Sequence, residues 1–264
     1  MTSISLPKKP LVEALLELRW AVGALPQTSQ PQRVPPNFVV DPNYKLALGR
    51  FSAAIEAQLP HFEQLPSASM PDELASNVVQ YRFRAGENQW PLAQIGPGIL
   101  TFNDTDSYVW SEFCNGAKAA VSALRSSYPA SARPVFNRAV LKYIDAVPFD
   151  YFENSIFDFA SKLKVEARLH TDFLSPLGVD ANPNSLIWRT GFRSTNPAGE
   201  LQIQIATAVK GDERSVMWET TIASSDQDAP STDVALADWL EAAHSTSSAI
   251  FRKMTDGELY ESFL

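Results

Sequence analysis

Residues 6–20 read L-P-K-K-P-L-V-E-A-L-L-E-L-R-W, and the period of this stretch decides the fold class. Val12, Ala14, Leu16, Leu18 and Trp20 alternate with Glu13, Glu17 and Arg19. Successive strand side chains point to opposite faces, so a period of two predicts a strand with one face buried. Leu15 breaks the alternation and leaves a helix open as the other reading. Pro7 and Pro10 favour an extended approach, because proline disfavours helix at the residue before it.

Working outward, a proline-rich connector covers 21–43, and a helix is expected from Pro42 to Leu59. Leu46, Leu48, Phe51, Ile55 and Leu59 would form its apolar stripe, with Asp41 as cap. Val79, Tyr81, Phe83 and Ala85 alternate with Gln80, Arg82 and Arg84 in a second strand. Its partner runs from Trp90 to Phe102 and is interrupted at Gly96-Pro97-Gly98 by a turn or bulge. A helix from Tyr108 to Tyr128 carries Phe113, Ala117, Ala120, Val121 and Leu124 on one side. The order then recurs. A strand at Phe136–Val147 is followed by a short helix at Asn154–Leu163 and strands at Leu186–Arg193, Leu201–Val209 and Val216–Ala223. A long helix at Asp233–Met254, capped by Ser231 or Thr232, closes the chain. This predicts an α+β chain of two topologically similar halves, 6–130 and 134–264, each an antiparallel sheet covered by helices.

Composition narrows the function. At 264 residues, 45% hydrophobic and 20% charged, the chain can bury a core without staples. A single cysteine, Cys114, excludes an intramolecular disulfide and a cysteine-rich zinc site and fits a reducing compartment. No secretory leader is evident, and no apolar run reaches the roughly 18 residues of a membrane helix. The expected location is therefore the cytoplasm. The net charge of −8 falls entirely within Asp212–Leu264. That argues against direct nucleic-acid binding, which needs a basic footprint, and suits a basic partner.

No catalytic residues, metal ligands or cofactor are expected. His61, His170 and His244 lie far apart with no metal spacing. Asn103-Asp104-Thr105-Asp106 has oxygen donors but lacks the later glutamate of a calcium loop, and acids before a helix cap it. An enzymatic reading using Asp104, Asp106, Asp145 or Asp150 ranks last, because acid–base pairs need facing geometry. If the apolar strand faces meet the helices, Arg82, Arg84, Arg138, Lys142, Arg189 and Arg193 share the other face. Guanidinium forks there suit carboxylates or phosphates. Glu13 and Glu17 fall on the same class of face and offer themselves as neutralising partners.

Three motifs carry a resemblance. They are Leu6–Trp20, the R-A-V-L-K-Y-I-D strand at Arg138–Asp145, and W-L-E-A-A-H leading to F-R-K-M-T-D-G-E-L over Trp239–Leu259. Together they resemble an uncharacterised, sporadically distributed bacterial family of chains of roughly 250 residues, marked by an L-x-x-P-P-L-V-E-A start. Here Lys9 stands where the first of two prolines is usual, and Lys142 where an arginine is usual. The resemblance implies a prokaryotic protein with no assigned activity, and patchy distribution points towards mobile elements and defence loci. The expected function is a non-enzymatic protein-binding module, an antitoxin or immunity protein. It would meet a basic toxin through Asp238, Trp239, Glu241, Phe251, Glu258, Tyr260, Glu261 and Phe263. The alternative is a sensor that binds an anionic small molecule or nucleotide on the arginine-rich face.

Overall fold

A computed structural model describes residues 6–22, 40–105, 108–166, 170 and 172–264. Most of the proline-rich connector (23–39) and Asp106 of the candidate cation loop lie outside the described residues. The elements are β1 (Leu11–Trp20), α1 (Tyr44–Ile55), β2 (His61–Gln64), β3 (Tyr81–Arg84), β4 (Leu92–Gly96), β5 (Ile99–Asp104) and α2 (Trp110–Ser127). They are followed by β6 (Phe136–Pro148), α3 (Ile156–Lys162), β7 (Ile187–Thr195), β8 (Ala198–Lys210), β9 (Glu213–Ser225), α4 (Asp233–Thr255) and α5 (Glu258–Glu261). The strands form one antiparallel sheet in the order β2-β3-β4-β5-β1-β6-β9-β8-β7. The sequence suggested two sheets. Neighbouring places for β1 and β6, the strands expected to open the halves, join them into one, because each gives the other's edge a hydrogen-bonding partner.

The chain divides into two compact units built from interleaved segments. One comprises Ala14–Leu141 and Ala223–Glu241. Residues 130–134, where the sequence suggested a boundary, lie inside it. Ala14, Leu16, Leu18 and Trp20 are buried on β1, as the period of two requires. β5 pairs with β1 in antiparallel register, Leu16 opposite Phe102 and Leu18 opposite Leu100. Gly96-Pro97-Gly98 is the tight turn between β4 and β5, with Gly98 at φ +81°. A Cβ on Gly96 would lie 1.8 Å from the Val78 carbonyl oxygen, so only glycine lets the two backbones approach. α2 buries Phe113, Ala117, Ala120, Val121 and Leu124, the expected stripe. Phe113 meets Phe102 edge-on at 5.5 Å. α1 keeps Phe51 and Ile55 of the expected stripe, with Leu59 buried just past its end, and departs from it at Leu46. It buries Tyr44, Ala47, Phe51 and Ile55, while Leu46 is 58% exposed.

The other unit comprises Met1–Glu13, Lys142–Ile222 and Ala242–Leu264. Its core gathers Ile156, Phe159 and Leu163 around α3, Ile205 of β8, Val216 and Trp218 of β9, and Met254, Leu259 and Phe263 from the C-terminal end. β7 and β8 pair along all nine residues of β7, from Ile187 opposite Ala206 to Thr195 opposite Ala198. Thr232 caps α4 through its Oγ1, which accepts from the Ala235 N–H at 3.1 Å.

Candidate functional site

The arginine-rich face is distributed over both units, and three of its six cations, Arg82, Arg84 and Lys142, are ion-paired to carboxylates. In the first unit Glu63 of β2 bridges two arginines of β3, with Arg82 Nη1 at 3.1 Å and Arg84 Nε at 2.7 Å. Antiparallel register explains this, because Glu63 lies directly opposite Arg82 and two places, on the same face, from Arg84's partner His61. In the second unit Lys142 Nζ lies 3.0 Å from Glu219. Arg189 Nε donates to Gln204 Oε1 at 2.7 Å, and Arg193 lies opposite Glu200. The sequence offered Glu17 as a partner for the face, yet Glu17 pairs with its own neighbour Arg19 at 2.7 Å. Glu63 was missed because β2 is only four residues long and follows Pro60 directly.

Arg138 is placed differently. With Arg19, Asn77, Asn137, Ser225 and Asp226 it lines a cleft of about 400 Å³ in the first unit. Its Nη1 donates to Ser225 Oγ at 3.1 Å. The cleft is held by the β4–β5 turn, where the Trp20 N–H donates to Gly98 O (3.1 Å) and the Asn77 N–H to Pro97 O (2.7 Å). Two guanidiniums and two carboxamides make a donor-rich wall, with Asp226 beside it and Arg19 already paired to Glu17.

The second unit also holds a half-buried polar cluster. The Tyr143 hydroxyl and His244 Nδ1 share a hydrogen bond of 2.8 Å, and Ser248 Oγ lies 3.5 Å from His244 Nε2. His244 thus lies on α4 hydrogen-bonded to Tyr143 of β6. Asp145, two residues from Tyr143 on β6, is 5% exposed. Burial pushes its carboxyl up to about 7, because the charged form loses water. Cys114 is buried and its Sγ lies 3.8 Å from Glu241 Oε1. Burial raises its thiol against the opposing pull of Lys118, so it stays a thiol and a poor nucleophile at neutral pH. Asp104 accepts from the backbone N–H of Thr105 at 2.8 Å, a local turn. Among the described residues no group of three or more His, Cys, Asp or Glu side chains is placed to hold a metal ion.

The residues expected to meet a partner separate by chemistry. Trp239 and Phe263 belong to the core, at 5% and 3% exposure. Trp239 Nε1 donates to Ser224 Oγ at 2.8 Å, and Phe263 stacks on Phe251 at 6.1 Å. This corrects their reading as anchors: Trp239 lies on the buried stripe of α4, and Phe263, just past α5, joins the core at the C-terminal end. Phe251 and Tyr260 are half-buried beside Phe263 in the second unit. Asp238, Glu241, Glu258 and Glu261 are exposed. Glu241 accepts from Trp110 Nε1 at 3.2 Å, and Glu258 lies 3.7 Å from Lys162.

A scan against protein-family models finds no match to the chain, and a search of curated proteins finds none. No helix among the described residues is long and apolar enough to cross a membrane.

Proposed function

We propose that the chain is a non-enzymatic protein-binding module, an antitoxin or immunity protein that neutralises a basic toxin in the cytoplasm of a prokaryote. The observation that carries this reading is the partition of charge. From Asp212 onward every acidic residue except Glu219 is exposed, whereas Arg82, Arg84 and Lys142 are ion-paired to neighbouring carboxylates. The exposed acids beyond Asp212 form a negative surface that would steer a basic partner towards Asp238 and Glu241 in one unit and Glu258 and Glu261 in the other. The resemblance to a patchily distributed family supplies the defence setting. We also read the fold as a duplication: β1, α1, β2–β5 and α2 are echoed by β6, α3, β7–β9 and α4, with β5 beside β1 as β9 is beside β6. The test expresses the neighbouring gene product alone and with this chain. Toxicity alone, rescue together and co-elution support the reading; a harmless neighbour ends it.

A second reading rests on the Arg19–Arg138 cleft, which suits an anionic small molecule or nucleotide. Thermal-shift titration with inorganic phosphate and nucleotides tests it. Stabilisation lost in both Arg19→Ala and Arg138→Ala supports it, and no stabilisation by any anion removes it.

A further inference from the structure

The two ends of the sheet are unlike. β2, at one end, is four residues long and presents little edge. β7, at the other, is nine residues long, contains no proline, and pairs with β8 without a bulge. Natural edge strands are normally shortened, kinked or covered, because their unpaired amides template another strand. Among the described residues β8 is the only strand beside β7. Its burial is low throughout, with Ile187 73% and Phe192 51% exposed.

The ladder shows which groups are free. The Thr207 N–H donates to Leu186 O at 3.0 Å, just before Ile187 pairs with Ala206. Antiparallel pairs alternate between bonded and non-bonded, so Trp188, Thr190, Phe192 and Ser194 bond to β8. Ile187, Arg189, Gly191, Arg193 and Thr195 then turn their N–H and C=O groups to the open edge. The side chains of these five share one sheet face, and Trp188 and Phe192 share the other.

We propose that β7 accepts an extended segment of another protein by strand addition, and that the segment carries acidic side chains four residues apart. In an antiparallel addition the residues across from Arg193 and Arg189 are separated by three others. The side chains next to these two acids in the chain lie on the opposite face, beside Phe192 and Thr190. The fitting pattern is acidic, apolar, any, apolar, acidic. Arg189 is held by a neutral amide, Gln204, which leaves its charge in place. Glu200 leans over Gly191, where a Cβ would meet its Oε1 at 2.7 Å, and offsets one of the two charges. The edge stays net positive, so it repels a second copy of itself and attracts an acidic strand. This surface is independent of the acidic one in the toxin reading.

The probes are two capped nonapeptides of alternating apolar and polar residues, one with Glu and one with Lys at the two charged positions. NMR titration of the intact chain is expected to show the Glu peptide binding about tenfold more tightly, from two attractive cross-strand pairs against two repulsive ones. Arg189→Glu with Arg193→Glu reverses the preference. Gly191→Pro removes an outward N–H while leaving the bonds to β8, so it loses the Glu peptide with circular dichroism unchanged. The proposal is overturned if neither peptide binds at millimolar concentration, or if both bind equally. It is also overturned if the chain sediments as a dimer that Gly191→Pro dissociates, which would make the occupant a second copy. Should Gly191→Pro fail to fold, the charge-reversal pair decides.

Discussion

Replacing Asp145 with asparagine tests whether the buried carboxyl of β6 is held in a water-poor site without compensation. Asparagine keeps the shape and removes the ionisation. In the folded chain burial raises the Asp145 carboxyl from 3.8 to about 7. Between those values the folded form holds a proton that the unfolded form has released. Stability contributed by this group is therefore full below pH about 4, falls as pH rises, and is level above about 7. At about 1.36 kcal/mol per pH unit the whole change is about 4 kcal/mol, and from pH 5 to pH 7 it is about 2.3 kcal/mol, because the slope halves as the folded group reaches its midpoint. The assay is urea unfolding of both proteins at 25 °C from pH 5 to pH 8. Subtracting the two curves cancels the contributions of distant groups such as the Asp150–Arg214 pair. The difference should favour Asp145→Asn increasingly with pH and then flatten near 7. A difference that does not vary with pH would refute the reasoning, because the carboxyl would then titrate alike in both states.

Gly96→Ala should lower stability by about 3 kcal/mol, read as a drop in Tm, because the new Cβ meets backbone at Val78 that cannot swing away. Ser224→Ala leaves Trp239 Nε1 buried with no acceptor and should cost about 2 kcal/mol in urea unfolding, while Trp239→Phe with Ser224→Ala recovers part of it. Glu63→Gln strands two part-buried guanidiniums and should cost about 1–3 kcal/mol, a penalty that shrinks as salt is raised.

Strands with one buried face were legible because their period survives in the side chains. β1 alternates as its residues demand, and the stripe of α2 is the one its spacing gives. On α1 the stripe was legible at Phe51, Ile55 and Leu59 but not in the first turns, where packing chose Tyr44 and the smaller Ala47 and left Leu46 in water. β2 escaped notice: four residues, H-F-E-Q, hold too few alternations to show a period. That miss hid Glu63, and with it the neutralisation of Arg82 and Arg84. The exposed β7 edge was also out of reach, since strand order depends on which strands meet in space, and no local pattern encodes it.

The two surfaces proposed for partners obey different physics, and salt separates them. Exposed carboxylates beyond Asp212 act at a distance, so an interaction they steer slows in association as the Debye length falls from about 30 Å at 0.01 M to about 8 Å at 0.15 M. Strand addition at β7 is held by backbone hydrogen bonds in contact, and only the share owed to Arg189 and Arg193 weakens with salt. A partner captured through the acidic surface should thus lose association rate steeply between those salt concentrations with little change in dissociation. A partner seated on β7 should keep most of its affinity, and Gly191→Pro should raise its dissociation rate at every salt concentration. A partner that shows both behaviours would use both surfaces, and charge reversal at Arg189 and Arg193 would then leave the salt-sensitive association intact while shortening the lifetime of the complex.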